Sequence, residues 1–303
     1  MIKRNKIVAG LVITGLTLGV AGYVNLPINN NQTVKAEVRN STEEQKSLIQ
    51  NKMVNSIDNF SSAQGSFLYY AKLANIDQTI EFDVKLNNKP VSHNKMKNND
   101  GNKVSESTFD GKQHLTVFHD EKQYNLANAI SNEEAPVKSQ AIPAEQRYIK
   151  GPNGKNEGVK LRRDPANMGL ANEVLFSQNI ALGFLEEKNK WTIKGEEKYL
   201  DLPVIIITGE VPNSYAQRHG GKTFKLLVHK DTGILLNFEE YDSNNQIVFN
   251  IKVNNINIDN NQKTVMKSAV STQQNSMSDE QKFTIKIPEG YKSMKEPQQN
   301  SEK

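Results

Sequence analysis

The sequence predicts an α+β fold: a meandering antiparallel sheet of long strands, two helical segments available to cover it, and an N-terminal segment that directs export. Three observations predict it. Lys3, Arg4 and Lys6 precede an apolar run from Ile7 to Leu26; period-two alternation, as in Ile80, Phe82, Val84 and Leu86, recurs between short Asp, Asn and Gly turns; and two stretches carry apolar residues at helical spacing.

The basic start and uncharged apolar run read as a signal peptide, with Val34-Lys35-Ala36 placing small residues one and three positions before a cut. The run to Leu26 also matches the roughly 20 residues that span a bilayer, so an uncleaved anchor is the alternative. In either case the positive charges stay inside and the body lies outside. The expected organisation is residues 1–36 as signal peptide or membrane anchor with its linker, 37–291 as a single domain, and 292–303 as a disordered polar tail.

The chain has 303 residues and no Cys. Burial alone must stabilise it after export, and a lipidated N-terminal cysteine, a thiolate metal site and a thiol nucleophile are excluded. A disulfide-free exported protein suits a bacterium of Gram-positive type. The formal charge of +4 is carried by Lys3, Arg4, Lys6 and Lys35, because residues 1–36 contain no Asp or Glu. The remainder is neutral, which removes the clustered basic footprint that a nucleic-acid partner requires. Arg162, Arg163 and Lys194 read as solvated surface.

After a polar linker from Asn29 to Asn40, Ser41-Thr42-Glu43-Glu44 offers a capping box. Ile49, Met53, Ile57 and Phe60 continue that helix, which should end near Ser61-Ser62. Strands follow at Ile80–Leu86 and, after an Asp110-Gly111 turn, at Leu115–Phe118. Lys95–Asn102 reads as a polar loop, and Ser131–Gly158, with Pro136, Pro143 and Pro152, as a long connection. Ala171–Glu187 reads as a helix with apolar residues more than halfway round, and so buried on more than one side.

Further strands are expected at Trp191–Gly195, Val204–Gly209, Phe224–Val228 and Ile234–Tyr241. Ile247, Phe249, Ile251 and Val253 alternate until Asn254-Asn255, where the phase slips to Ile256 and Ile258; the slip predicts a β-bulge that bends a long strand. Phe283, Ile285 and Ile287 read as a last strand.

No catalytic constellation is assembled along the chain. His114 and His119 are five apart in strand and turn sequence, and His93, His219 and His229 are scattered, so all five read as exposed or edge-strand histidines rather than zinc ligands. The Gly-x-Ser-x-Gly pattern is absent. Glu186-Glu187, Glu196-Glu197 and Glu239-Glu240 read as solvated ends, and Gly220-Gly221 as a loop with no following helix to receive a phosphate. No catalytic residue, metal or cofactor is expected. Apolar binding remains. A strongly bent sheet has a concave face, and the helix at Ala171–Glu187 either completes the core or lines that face together with a ligand. Val174, Leu175, Phe176, Ile180, Leu182 and Phe184 are the candidate lining residues.

Trp191-Thr192-Ile193-Lys194-Gly195, Pro203-Val204-Ile205-Ile206-Ile207, the segment ending in Asp231-Thr232-Gly233-Ile234-Leu235-Leu236, and Tyr241 to Ile258 together resemble the lipoprotein-carrier superfamily. That group includes the LolA and LolB carriers and the RseB-type regulators of sigma-factor signalling. A helix before Gly65-Ser66-Phe67 and a strand pair around Asp110-Gly111-Lys112 and Tyr124 fit the same order, so the similarity covers residues 44 to 291. The resemblance implies an unclosed, strongly curved antiparallel half-barrel (LolA-like) with helices on its concave face, an apolar cavity for acyl chains or a lipidated partner, and no catalytic residues. A Gram-positive cell has no outer membrane to supply, so the resemblance points to holding or sensing a lipid, lipoprotein or envelope component.

Three functions are thereby expected in order. The first is a non-enzymatic envelope protein that binds a lipid, other apolar ligand or lipidated protein, with a membrane or regulatory protein as partner and a sigma-factor regulator as one form. The second is a structural envelope protein that binds another protein while its core is filled. The third is a cryptic hydrolase, which requires His219 or His229 within hydrogen-bond reach of a Ser or carboxylate.

Overall fold

The computed structural model describes residues 31–87, 89–128, 141–260, 263–264 and 279–294. The export segment from Lys3 to Leu26 lies outside them. Among the described residues no helix is long and apolar enough to cross a membrane. The chain divides into two compact units, Met1–Asn40 and Ser41–Lys303.

The first helix, α1 (Asn31–Val54), starts well upstream of the expected cap at Ser41. Its first ten residues, expected to be a linker, contain neither Gly nor Pro, so nothing there halts a helix. It also ends earlier than expected. Ile49, Met53 and Val54 are buried, and a 3-10 turn at Ser56–Asp58 then carries Ile57 into the core, with Phe60 following.

Six strands come next: β1 (Ser62–Ala71), β2 (Ile76–Lys85), β3 (Val91–Asn98), β4 (Lys103–Phe109), β5 (Gln113–Phe118) and β6 (Gln123–Asn128). A small separate hairpin, β7 (Tyr148–Lys150) with β8 (Asn156–Val159), leads to two short helices, α2 (Asn172–Leu175) and α3 (Gln178–Phe184). The second run is β9 (Trp191–Tyr199), β10 (Leu202–Glu210), α4 (Asn213–His219), β11 (Thr223–His229), β12 (Leu235–Tyr241) and β13 (Ile247–Asn260). The chain closes with β14 (Lys263–Thr264), α5 (Asp279–Lys282) and β15 (Lys292–Ser293).

Thirteen strands share one sheet in the order β15-β6-β5-β4-β3-β2-β1-β13-β12-β11-β10-β9, with β14 beside β13. All pairings in it are antiparallel except β15 with β6. The ends of the order, β15 and β9, do not meet, so the sheet is a large, curved, mostly antiparallel half-barrel that stays open, with α2 and α3 on the concave face. Register shifts at Ser66/Phe67, Met96/Lys97, Ile206/Ile207, Leu227/Val228 and Glu240/Tyr241 supply the bending, because each adds a residue to one strand of a pair. The open edge at β9 is protected by its own bulge and by Lys194, Glu196, Glu197 and Lys198.

The two meanders meet where β1 pairs with β13. Ser66 lies opposite Asn255 and Phe67 opposite Val253, which leaves Asn254 without a partner residue: the bulge expected from the phase slip. Gly65 sits beside it, and a Cβ there would run into the Asn255 carbonyl oxygen and lie 3.1 Å from the Phe82 ring. Ala63, Phe67, Ile80, Phe82 and Val84 from one meander and Phe224, Leu226, Phe238, Ile251 and Val253 from the other form one continuous core.

Three further expectations need correction. Lys95–Asn102 is no loop over its first half, since β3 runs to Asn98. Its inward residues are polar because their partners are backbone carbonyls: Ser92 Oγ donates to Asn167 O at 3.0 Å and Asn94 Nδ2 to Met168 O at 3.0 Å. Polar residues on both faces erase the period-two signal. Phe283, Ile285 and Ile287 form no strand either. After α5 the chain crosses the sheet face opposite Phe82 and Val84, where Lys282 Nζ pairs with Asp83 at 2.9 Å, the Lys85 ammonium lies 5.5 Å over the Phe283 ring, and Tyr291 Oη meets His119 Nδ1 at 2.9 Å. Lys292, where the disordered tail was expected to start, instead opens β15 on the β6 edge.

That same face brings His93 Nε2 to 3.2 Å and His119 Nε2 to 3.7 Å from the Glu106 carboxylate, with Lys103 Nζ at 3.4 Å. Burial would raise the Glu106 pKa, but the hydrogen bond and charge of His93, with Lys103 and Lys95, outweigh it and hold the carboxyl at about 2. A carboxyl depressed on folding adds stability above its usual range of about 4.3 and loses that contribution as pH falls toward the folded value. In thermal melts Glu106→Gln should therefore be less stable than wild type near neutrality, the gap closing as pH falls through 4.5 to about 2. At the meander junction, Gly65→Val should cost about 2 kcal/mol or more in urea unfolding followed by the single tryptophan, Trp191.

Candidate binding site

The segment expected as one helix over Ala171–Glu187 is an insert of two short helices, broken at Phe176, whose backbone leaves the helical region (φ −144, ψ 54). Polar anchors set both starts. The Asp164 carboxylate accepts the backbone N–H groups of Ala166 and Met168 and the Asn172 side-chain amide, so the first turn begins at a fixed point. Gln178 then ties the start of α3 elsewhere: its Oε1 accepts from Arg147 Nη1 at 2.8 Å and from the Arg162 N–H at 2.7 Å, and its Nε2 donates to Arg162 O at 2.9 Å. Arg147, 2% exposed, also donates to Ile142 O, Val54 O and Asn55 Oδ1. Arg162, expected on the surface, makes a buried bidentate pair with Asp58 at 2.6 and 2.8 Å. The sequence shows no sign of it, because Asp58 lies more than a hundred residues away.

All six candidate lining residues come together, at 0–5% exposure. Val174, Leu175, Phe176, Ile180, Leu182 and Phe184 pack into the main core between α1 and the sheet. The concave face is therefore occupied by the chain's own apolar insert. Helices of four and seven residues leave most of their C-terminal carbonyls without intrahelical partners. Side chains from outside the insert supply them: Gln50 Nε2 donates to Ala181 O at 3.0 Å and Leu185 O at 3.3 Å, Tyr148 Oη to Leu182 O at 3.0 Å, Ser56 Oγ to Leu175 O at 2.6 Å and Trp191 Nε1 to Leu185 O at 3.2 Å. Burial pushes the Tyr148 phenol far up, so it remains a donor across the physiological range.

One end of this interior is aromatic. The Phe184 ring packs against Phe224 (5.4 Å between centroids), Phe238 (4.8 Å) and Tyr215 (4.4 Å). Tyr215 and His219 belong to α4, a helix the sequence reading missed. Its signal was present in the turn expected at Gly220, which takes the left-handed conformation (φ 81) and returns its N–H to Ala216 O at 2.9 Å, a common helix ending.

The histidines are not exposed or edge-strand residues as expected. Besides the pair at Glu106, His229 is 2% exposed with Nδ1 2.7 Å from Thr232 Oγ1, and burial lowers the pKa of both His229 and His114. His219 lies flat on Phe249, with centroids 4.4 Å apart and planes within 8°, and its Nδ1 is 2.6 Å from Oε1 of Glu240, which is 0% exposed. Burial raises the Glu240 pKa, against the hydrogen bond and charge of His219. Spacing in the chain cannot reveal these contacts, since strand pairing makes them. The His219–Glu240 pair meets the distance criterion for a hydrolase, but among the described residues no hydroxyl nucleophile is bonded to His219, and an imidazole–carboxylate pair alone does not make a nucleophilic site. Among those residues no grouping of His, Asp and Glu has metal-ligand geometry.

A separate open groove of about 430 Å³ lies at the β9–β12 end of the sheet, lined by Trp191, Thr208, Phe224, Lys225 and Tyr241 among others, and contains none of the six candidate residues. The tethers make the insert testable. Gln50→Leu removes the side-chain donor of the buried Ala181 carbonyl, while Leu185 O keeps Trp191 Nε1, and should cost about 1–2 kcal/mol. Hydrogen exchange across residues 172–185 should rise before global unfolding does.

No protein-family model matches the chain, and no curated protein sequence is significantly similar to it. Solved structures are similar. The crystal structure of MucB matches at 14% identity over 77% of this chain and 63% of that one, with a TM-score of 0.38. LprF from Mycobacterium bovis matches at 13% identity over 71% and 93%, with a TM-score of 0.36. A LolA superfamily protein from Nitrosomonas europaea matches at 8% identity over 68% and 74%, with a TM-score of 0.22. This chain thus spans less than two thirds of the MucB chain. One of these neighbours is described as a LolA superfamily protein.

Proposed function

We propose that this chain is a non-enzymatic, exported envelope protein that binds an acyl chain or a lipidated protein segment on its concave face, in place of its own apolar insert. One observation carries the reading: the insert that fills the concave face consists of helices too short to be stable by themselves and is fastened to the rest of the protein at its carbonyl ends by Gln50, Ser56, Tyr148 and Trp191. Shifting it uncovers apolar surface on both sides, and a hydrocarbon chain laid there gains about 0.8 kcal/mol per buried methylene. Val174, Leu175, Phe176, Ile180, Leu182 and Phe184 would then line the ligand. An export segment that leaves the domain beside a membrane supplies such ligands. Engagement of a regulatory protein when the site is loaded would let the protein report envelope state.

The near-complete burial of those six residues favours a second reading, in which the core is permanently filled and the protein binds a partner by its surface. The two separate in one experiment. Protein purified from cells should yield lipid on solvent extraction and mass spectrometry, and long-chain fluorescent probes should bind it and displace that lipid. A chain that is empty and binds no probe has a filled core.

A further inference from the structure

We propose that the ligand is a single-chain amphiphile with a cationic, ammonium-type head, which enters beneath α4 and lodges its head against Glu240 and Glu173. This rests on the apolar-ligand reading and adds the entrance and the head-group class.

The entrance follows from how α4 is held. The helix buries none of its own residues, and two rings seat it: Tyr215 on Phe184 and His219 on Phe249. Tyr215 fits because residue 183 is glycine; a Cβ there would lie 2.7 and 2.8 Å from two Tyr215 ring carbons. Glycine inside a helix costs about 1 kcal/mol relative to alanine, so Gly183 weakens α3 in favour of the α4 seat. Beneath α4 lie Phe184, Phe224, Phe238 and Phe249, continuous with the core that the insert occupies.

The head-group class follows from charge. Glu240 is fully buried; His219 takes its Oε1, and its Oε2 has no hydrogen-bond partner. Glu173, on α2, is close enough for its charge to act on the phenols of both Tyr69 and Tyr215, and Glu240 and Glu186 act on Tyr215 as well, with Arg218 alone opposing them. Tyr69 in turn meets the Phe249 ring edge-on at 5.4 Å. Around Tyr215, whose ring covers Phe184, the charges of Glu173, Glu186 and Glu240 thus outweigh that of Arg218, and Glu240 alone of the three is bonded to His219. Burial raises the pKa of Glu173, and that of Glu240 against the hydrogen bond and charge of His219. A fatty carboxylate would add a fourth negative group in a desolvated place. An ammonium supplies the donor that Glu240 Oε2 lacks.

Dodecylamine, dodecanol and dodecanoate share one chain and differ in the head, so titrating each into the full chain while following Trp191 fluorescence isolates the head-group term. The amine should bind about tenfold tighter than the acid, the equivalent of one ion pair of about 1.4 kcal/mol, and Glu173→Gln should narrow that ratio while leaving dodecanol unchanged. If a urea melt shows that Glu173→Gln unfolds, Glu186→Gln, at the exposed rim, carries the same comparison. Gly183→Ala should raise hydrogen exchange across residues 213–219 and speed entry of all three probes without changing their ranking. Equal affinity for amine and acid, or a ratio unmoved by the carboxylate variants, overturns the head-group assignment while the apolar-ligand reading stands. Unchanged exchange and entry rates in Gly183→Ala overturn the α4 entrance. Failure of all three probes to bind overturns the apolar-ligand reading itself.

Discussion

The pairing of β1 with β13 is the constraint on which the rest depends. It joins a meander that starts at Ser62 to one that ends at Asn260, and without it neither sheet has enough concave surface to hold the helical insert. The pairing also sets curvature where the helices sit, because the unpartnered Asn254 bends β13 while Gly65 lets the two backbones approach. Phe67, Ile251 and Val253, all at 0% exposure, stand at the centre of the resulting core.

A sheet bent this way creates a concave face larger than α1 alone can cover. The chain closes it with a segment that is apolar enough to bury but too short in its helices to satisfy its own backbone. Hence the polar residues on otherwise apolar elements, Gln50 and Ser56 among them, which look out of place until their carbonyl partners are seen. Arg147, Gln178, Arg162 and Asp58 do the same at the start of α3. The interior is thus packed and yet held partly by a few hydrogen bonds from outside the insert rather than by one continuous helix.

The opposite face has a different character. There the C-terminal segment lies across β2 to β5 through Lys282, Phe283 and Tyr291, and Glu106 gathers charge from His93, His119 and Lys103. On this face Leu115 and Val117 are buried outside the main core, and the segment caps the β6 edge with β15. Two faces with separate covers explain how a disulfide-free chain stabilises so wide a sheet.

The sequence by itself determined the antiparallel meander, the bulge at Asn254-Asn255 and the apolar character of residues 174–185, because period and turn chemistry are local properties written in consecutive residues. Strand β3 escaped it where polar side chains serve the concave face, and α4 where seven residues buried none of their own. Only the tertiary structure decided which distant groups meet: Arg162 with Asp58, His219 with Glu240, Gln50 with Ala181, and Tyr215 with Gly183. Those contacts arise from sheet order and packing. Residue spacing carries no information about them, so the candidate residues could be named from apolarity, whereas the seat of α4, the tethers and the buried Glu240 carboxyl required the fold.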